Sequence, residues 1–180
     1  ILHVCHYQPK KNTETLIEAF SIVKKNLKQN KYKLVITGRK GKAWNRVSKI
    51  IYNKSLENDV IHLGNVPLYD LVLLYNCAEV FVFPSLHESF GLPILEAMSC
   101  GCPVITSNIY SLPEIAGDSA ILIDPYDSKE LSAKIFEVIT DEELRTNLSR
   151  KGLLRAKMFT WKHSAIEHLK VYEKVYDERI

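Results

Sequence analysis

The sequence predicts an α/β domain: a doubly wound parallel sheet of about six strands, finished by C-terminal helices. Three observations carry this. Short runs rich in Val, Ile and Phe alternate with apolar residues at helical spacing as far as Ile123. The runs stop at turn-forming residues, as at Gly38, Gly64, Pro84 and Asp124-Pro125. Beyond Pro125 only helical patterns remain.

In chain order, residues 1–5 read as a strand. Residues 13–28 carry an apolar stripe of Leu16, Ile17, Ala19, Phe20, Val23 and Leu27, the signature of a helix against a sheet. A strand over 33–37, a helix over 43–54, a strand over 60–63 and a helix over 68–77 follow. Residues 80–83, Val-Phe-Val-Phe, suit a central strand buried on both faces. A polar loop then leads to Gly91-Leu92-Pro93, which opens an apolar helix ending near Gly101, with Pro93 at its first position, where a missing N–H costs nothing. Strands over 103–107 and 120–123 complete the sheet. Ser128 caps a helix over 129–139, Asp141 opens one reaching about 158, and Thr160 caps the last, 161–177.

At 180 residues, with 46% hydrophobic and 25% charged residues, the chain is most economically one soluble domain. A net charge of +3 is too mild to indicate nucleic-acid binding. No apolar run approaches the ~20 residues that span a bilayer. The chain starts without Met inside a strand pattern and so reads as a piece of something longer. Cys5, Cys77, Cys100 and Cys102 have neither framework nor metal-ligand spacing, and read as reduced, packed thiols of a cytosolic protein. His163 and His168, five apart, do not share a helix face. The aromatics Phe81, Phe83, Phe159 and Trp161 read as core or interface residues.

A parallel sheet opens the carboxyl ends of its strands on one edge, where ligands of such sheets bind. Two basic clusters fall there, Lys10-Lys11 after the first strand and Arg39-Lys40-Gly41-Lys42 after the second. So do Glu88 and Glu96, which bracket the amides of Phe90, Gly91 and Leu92 at a helix N-terminus. Cationic groups neutralise phosphate and carboxylates accept from vicinal hydroxyls, so a nucleoside diphosphate sugar fits this balance. Taken singly, each residue has a plainer reading. Glu88 is a solvated loop acid, Glu96 a partner for a nearby lysine, and the basic runs are solubilising charge. Glu114 begins a short helix. No G-x-G-x-x-G follows the first strand and no P-loop is present, which disfavours a dinucleotide oxidoreductase.

The run Glu88-Ser89-Phe90-Gly91-Leu92-Pro93-Ile94-Leu95-Glu96, continued by Cys100-Gly101-Cys102-Pro103-Val104 and Leu112-Pro113-Glu114, resembles the Glu-x7-Glu signature of retaining glycosyltransferases of family four. The resemblance implies the C-terminal, donor-binding Rossmann-like half of a GT-B enzyme, spanning residues 1–180, with the acceptor domain N-terminal to it and absent here. It implies transfer of a hexose with retained configuration, GDP-mannose slightly favoured over a UDP-sugar, to a saccharide or lipid-linked acceptor in cell-surface polysaccharide synthesis. It implies no metal cofactor and no nucleic-acid partner, and a cytoplasmic site at the inner face of the membrane, with any peripheral membrane association falling to the absent domain. Residue by residue, Lys11 matches the lysine on the pyrophosphate, Glu88 the acid near the reacting carbon, and Glu96 the acid on the ribose. The Phe90, Gly91 and Leu92 amides meet sugar hydroxyls and phosphate, and backbone around Val66 meets the base. The terminal helix packs back toward the other domain. The pattern departs at Cys5-His6, where the family has Gly-Arg; His6 supplies less positive charge there, with Arg39 in the neighbouring loop as compensation. Other readings on the same architecture are a non-catalytic nucleotide-sugar-binding module and a sugar-nucleotide epimerase. The fragment alone is expected to bind donor without turnover.

Overall fold

Side chains alternating along the central strand divide the interior into two apolar layers: Val82 enters one, Phe81 and Phe83 the other. In the computed structural model, which describes residues 1–27 and 32–178, six parallel strands form one sheet in the order β3-β2-β1-β4-β5-β6. They are β1 (Leu2–Val4), β2 (Leu34–Thr37), β3 (Val60–Gly64), β4 (Phe81–Phe83), β5 (Val104–Ser107) and β6 (Ile121–Ile123). Each sits where the sequence places it, one residue shorter or longer at an end, except β1, which is one residue shorter at both. The order reverses direction between β1 and β4, the switch point at which a crevice opens.

One layer is filled by α1 (Thr13–Asn26), α2 (Trp44–Asn53) and α6 (Ser128–Thr140), through Leu16, Phe20, Val47, Leu131 and Ile135. The other is filled by α3 (Leu68–Cys77), α4 (Leu92–Ser99) and α5 (Leu112–Ala116), through Tyr75, Ile94, Met98 and Ile115. Full burial of each such side chain contributes roughly 1.5–3 kcal/mol, so both layers stabilise the sheet that carries the crevice. α7 (Glu142–Ala156) packs on α4, and α8 (Trp161–Asp177) follows with no buried residue. Among the described residues no helix is long and apolar enough to cross a membrane.

Several boundaries differ from expectation. The end expected at Lys28 lies outside the described residues; α1 closes at Asn26 within them. Asp127, not Ser128, caps α6, because its carboxylate accepts from the Lys129 and Glu130 amides and is negative at the positive end of the helix. Pro93 is the second helical residue rather than the first. All four cysteines are free, but only Cys5 and Cys102 are buried; Cys77 ends α3 on its exposed side. Trp161 is 82% exposed and belongs to no core here.

Candidate functional site

Two helices begin at the switch point, and neither has a side-chain cap. Asn12 precedes α1 at φ 55° and Gly91 precedes α4 at φ 108°, with no side-chain acceptor on the first-turn amides of either. Uncapped N–H groups and the positive end of the macrodipole favour an anion at both. At Gly91 the left-handed φ requires glycine, and a Cβ there would also press on Leu112 Cδ2 at 2.8 Å.

Between these helix ends Lys11 and Glu88, 77 positions apart in sequence, form an ion pair with Nζ 2.5 Å from Oε1. Their side chains are 15% and 12% exposed, so neither is the solvated charge of the plainer reading. Ser85 Oγ lies 2.6 Å from the same carboxylate oxygen and 3.0 Å from the Lys10 carbonyl, its single proton serving one of them at a time. Ser111 Oγ stands 2.9 Å from the Glu88 carbonyl and 3.1 Å from that of Phe90, steadying the loop backbone. The Lys11 ammonium also lies 5.0 Å from the centre of the Phe83 ring.

Glu96 sits in a different setting. Its carboxylate accepts from the phenol of Tyr75 at 3.0 Å, not from a lysine. Burial, reinforced by the Glu96 charge, pushes the Tyr75 phenol well above its ordinary range, so Tyr75 remains a donor. Glu96 borders a groove of about 890 Å³ between α3, α4 and α8, together with Phe90, Leu92 and Leu95. Both His163 and His168 border it too, despite the spacing that separates their helical faces. The outer wall is fixed by Phe90 against Phe159, ring centres 6.1 Å apart.

The remaining candidates lie on neighbouring strand ends. His6 is exposed, and the amide of the next residue, Tyr7, donates to the Arg39 carbonyl at 3.1 Å, which ties the two loops by backbone. Arg39 is exposed, and Val66 is half-buried in the turn after β3. The β2 end can approach β1 only because residue 38 is glycine: a Cβ there would meet the Cys5 carbonyl oxygen at 1.7 Å. Among the described residues no hydrogen bond or ion pair joins His6, Arg39 or Val66 to either glutamate. Among the described residues no cluster of three His, Cys, Asp or Glu side chains suits a metal ion.

Three contributors carried no sequence signal that singled them out, Ser85, Tyr75 and Ser111, and Asn12 stood out only as the neighbour of Lys11. Tyr75 looked like one more apolar residue of α3, and the serines like ordinary loop polarity. Only the fold brings them to the acids.

The arrangement offers a cationic receiver at the switch point and an acid with an apolar groove beside it. Comparison with known proteins identifies the family. Residues 1–155 match the family model described as "Glycosyl transferases group 1". The chain is 36% identical over 172 residues to the O-antigen chain mannosyltransferase B of Escherichia coli, covering 96% of this chain and 45% of that protein. It is 35% identical over 167 residues to a serotype-specific mannosyltransferase of the same organism, covering 92% of this chain and 20% of that one. Among solved structures, sucrose-phosphate synthase from Thermosynechococcus elongatus superposes with a TM-score of 0.85 at 26% identity, over 98% of this chain and 45% of that one. A glycosyltransferase from Rickettsia africae shares the fold, with a TM-score of 0.86 at 21% identity over 97% of this chain and 47% of that one. The chain thus spans less than half the length of these relatives. The family model over residues 1–155 and the mannosyltransferase relatives, on a sheet of the same fold, place the chain in the family of group 1 glycosyl transferases.

Proposed function

We propose that this chain is the donor-binding half of a retaining hexosyltransferase, and that its donor is a nucleoside diphosphate sugar, GDP-mannose first. The observation that carries the reading is the Lys11–Glu88 pair set between two uncapped helix N-termini at the switch point. Two mannosyltransferases among the relatives favour mannose.

In this reading the diphosphate takes Lys11 from Glu88 and lies against the first-turn amides of α1 and α4. Glu88 is then free to accept from hydroxyls of the hexose. Glu96, oriented by Tyr75, accepts from the ribose hydroxyls, and backbone near Val66 meets the base, with Arg39 and His6 at the crevice rim. In the reaction the bond from the anomeric carbon to the diphosphate oxygen breaks and its electron pair departs on the diphosphate. An acceptor hydroxyl forms the new bond on the same face and gives its proton to the departing diphosphate oxygen. The leaving group is good, so Lys11 and the amides contribute mainly by holding the charge that develops on it. No metal ion takes part. The acceptor, a saccharide or a lipid-linked one, is held by a part of the protein outside this chain, and α8 with its groove faces that part.

A thermal-shift panel of GDP-mannose, GDP, UDP-glucose, UDP and ADP on this chain tests the reading. A ligand stabilises in proportion to the logarithm of its concentration over its dissociation constant. Selective stabilisation by the guanosine ligands supports the donor site; none by any nucleotide refutes it. Exposed His6 in place of an arginine favours one second reading, a non-catalytic nucleotide-sugar-binding module. Slow donor hydrolysis by the full-length protein separates the two.

A further inference from the structure

The residue beside Lys11 has an unusual set of contacts. Asn12 is 9% exposed, and both protons of its side-chain amide are used: Nδ2 donates to the Pro84 carbonyl at 3.0 Å and to the Pro125 carbonyl at 2.7 Å. Its Oδ1 accepts from Thr15 Oγ1 at 2.7 Å, which fixes which end of the amide faces the carbonyls. One side chain therefore joins the loops that follow β1, β4 and β6.

The first two of those loops carry Lys11 and Glu88. Their backbones are also bonded one residue before the lysine, where the Leu86 amide donates to the Lys10 carbonyl at 2.7 Å. Lys11 thus stands between two fastened points, Lys10 and Asn12. Pro84, held by Asn12, begins the segment that runs through Ser85 to Glu88.

Residue type follows from two demands. The backbone at position 12 has φ 55° and ψ 34°, a left-handed conformation that Asn tolerates better than most residues. Two carbonyls must be satisfied from one short side chain, which needs an amide. Asp would set oxygen against oxygen, and Gly would fit the backbone but leave both carbonyls without this donor. The same engagement keeps the Asn12 side chain off the α1 amides, so α1 remains uncapped beside Lys11.

We propose that Asn12 is a positioning residue: it holds the Lys11 ammonium where the distal phosphate of the donor arrives, and so sets the preference for a diphosphate over a monophosphate. This rests on the donor-site reading above. The chemistry recognised is the second phosphate, independent of base and sugar.

The test is isothermal titration calorimetry on this chain with GDP, GMP, UDP and UMP, using the base that binds more tightly. The wild type prefers diphosphate to monophosphate by about tenfold or more, as a charge-assisted contact to an added phosphate gives. Lys11→Ala removes that preference. Asn12→Gly, which keeps the backbone conformation, reduces it to within about threefold while monophosphate affinity changes by less than about twofold. A general loosening of the fold would weaken both nucleotides together, so the split separates positioning from structure. A wild type without the preference overturns the donor-site reading and this inference with it. A preference kept in a folded Asn12→Gly chain overturns this inference alone. If Asn12→Gly does not fold, Thr15→Val decides: losing the bond that orients the amide lowers the preference by about half, and an unchanged preference refutes the role.

Discussion

Removing one member of the Lys11–Glu88 pair costs more stability than removing both. The pair joins side chains 15% and 12% exposed at 2.5 Å, with Ser85 on the same carboxylate oxygen. Exposed pairs contribute about 0.2–1 kcal/mol, and breaking a fully buried one costs about 3–5 kcal/mol. The burial here lies nearer the second case, so Glu88→Gln and Lys11→Met are each expected to cost about 2 kcal/mol. The double variant leaves no charge without its partner and costs less than either single one, so the coupling from the cycle exceeds about 2 kcal/mol. Urea denaturation without nucleotide measures all four chains. A coupling below about 0.5 kcal/mol would refute the burial argument. Binding separates the two variants further. Lys11→Met weakens GDP, whereas Glu88→Gln leaves GDP as tight or tighter, because the lysine no longer has to leave a carboxylate. Equal losses in both would contradict the exchange of partners on which the proposed chemistry depends.

Three further outcomes follow from the same contacts. Tyr75→Phe removes the donor to Glu96 and is expected to cost about 1 kcal/mol of stability in urea, with weaker binding of nucleotides that carry both ribose hydroxyls; 2′-deoxy nucleotides should be less affected. His62, near Tyr7 and Trp44, is held below its ordinary value of 6.5 by burial and then by the Lys40 charge. The unfolded chain therefore takes up that proton first, so stability is complete above about pH 6.5 and falls as pH drops toward the lower folded value. His62→Phe should flatten this part of the stability profile relative to wild type, and parallel profiles would refute it. In the folded chain at pH 8 a thiol reagent should label exposed Cys77 quickly, while buried Cys102, its thiol pushed up to about 12 by burial, reacts only on unfolding.

The sheet was legible because its strands are short apolar runs that need cover on both faces, and Val80 to Phe83 reads so without ambiguity. Asp127 and Ser128 are both good caps by residue type, and only the backbone conformation at the start of α6 decides between them. Lys11 and Glu88 were legible as charges at strand ends, and their types as those a diphosphate sugar needs. Their pairing was not, since the contact joins loops 77 positions apart. Asn12 was least visible. Its role depends on two backbone carbonyls, and carbonyls leave no trace in a sequence. Of the two readings of Trp161, core and interface, the fold removes the first: the residue is 82% exposed on α8, which has no buried residue, and it borders the groove beside Glu96.

A crystal structure of this chain with GDP-mannose tests the central claim most directly. The account predicts the diphosphate within hydrogen-bonding distance of Lys11 and the first-turn amides of α4, the ribose hydroxyls on Glu96, and Glu88 turned to the hexose. A nucleotide bound elsewhere, or bound with the Lys11–Glu88 pair still closed, would contradict it.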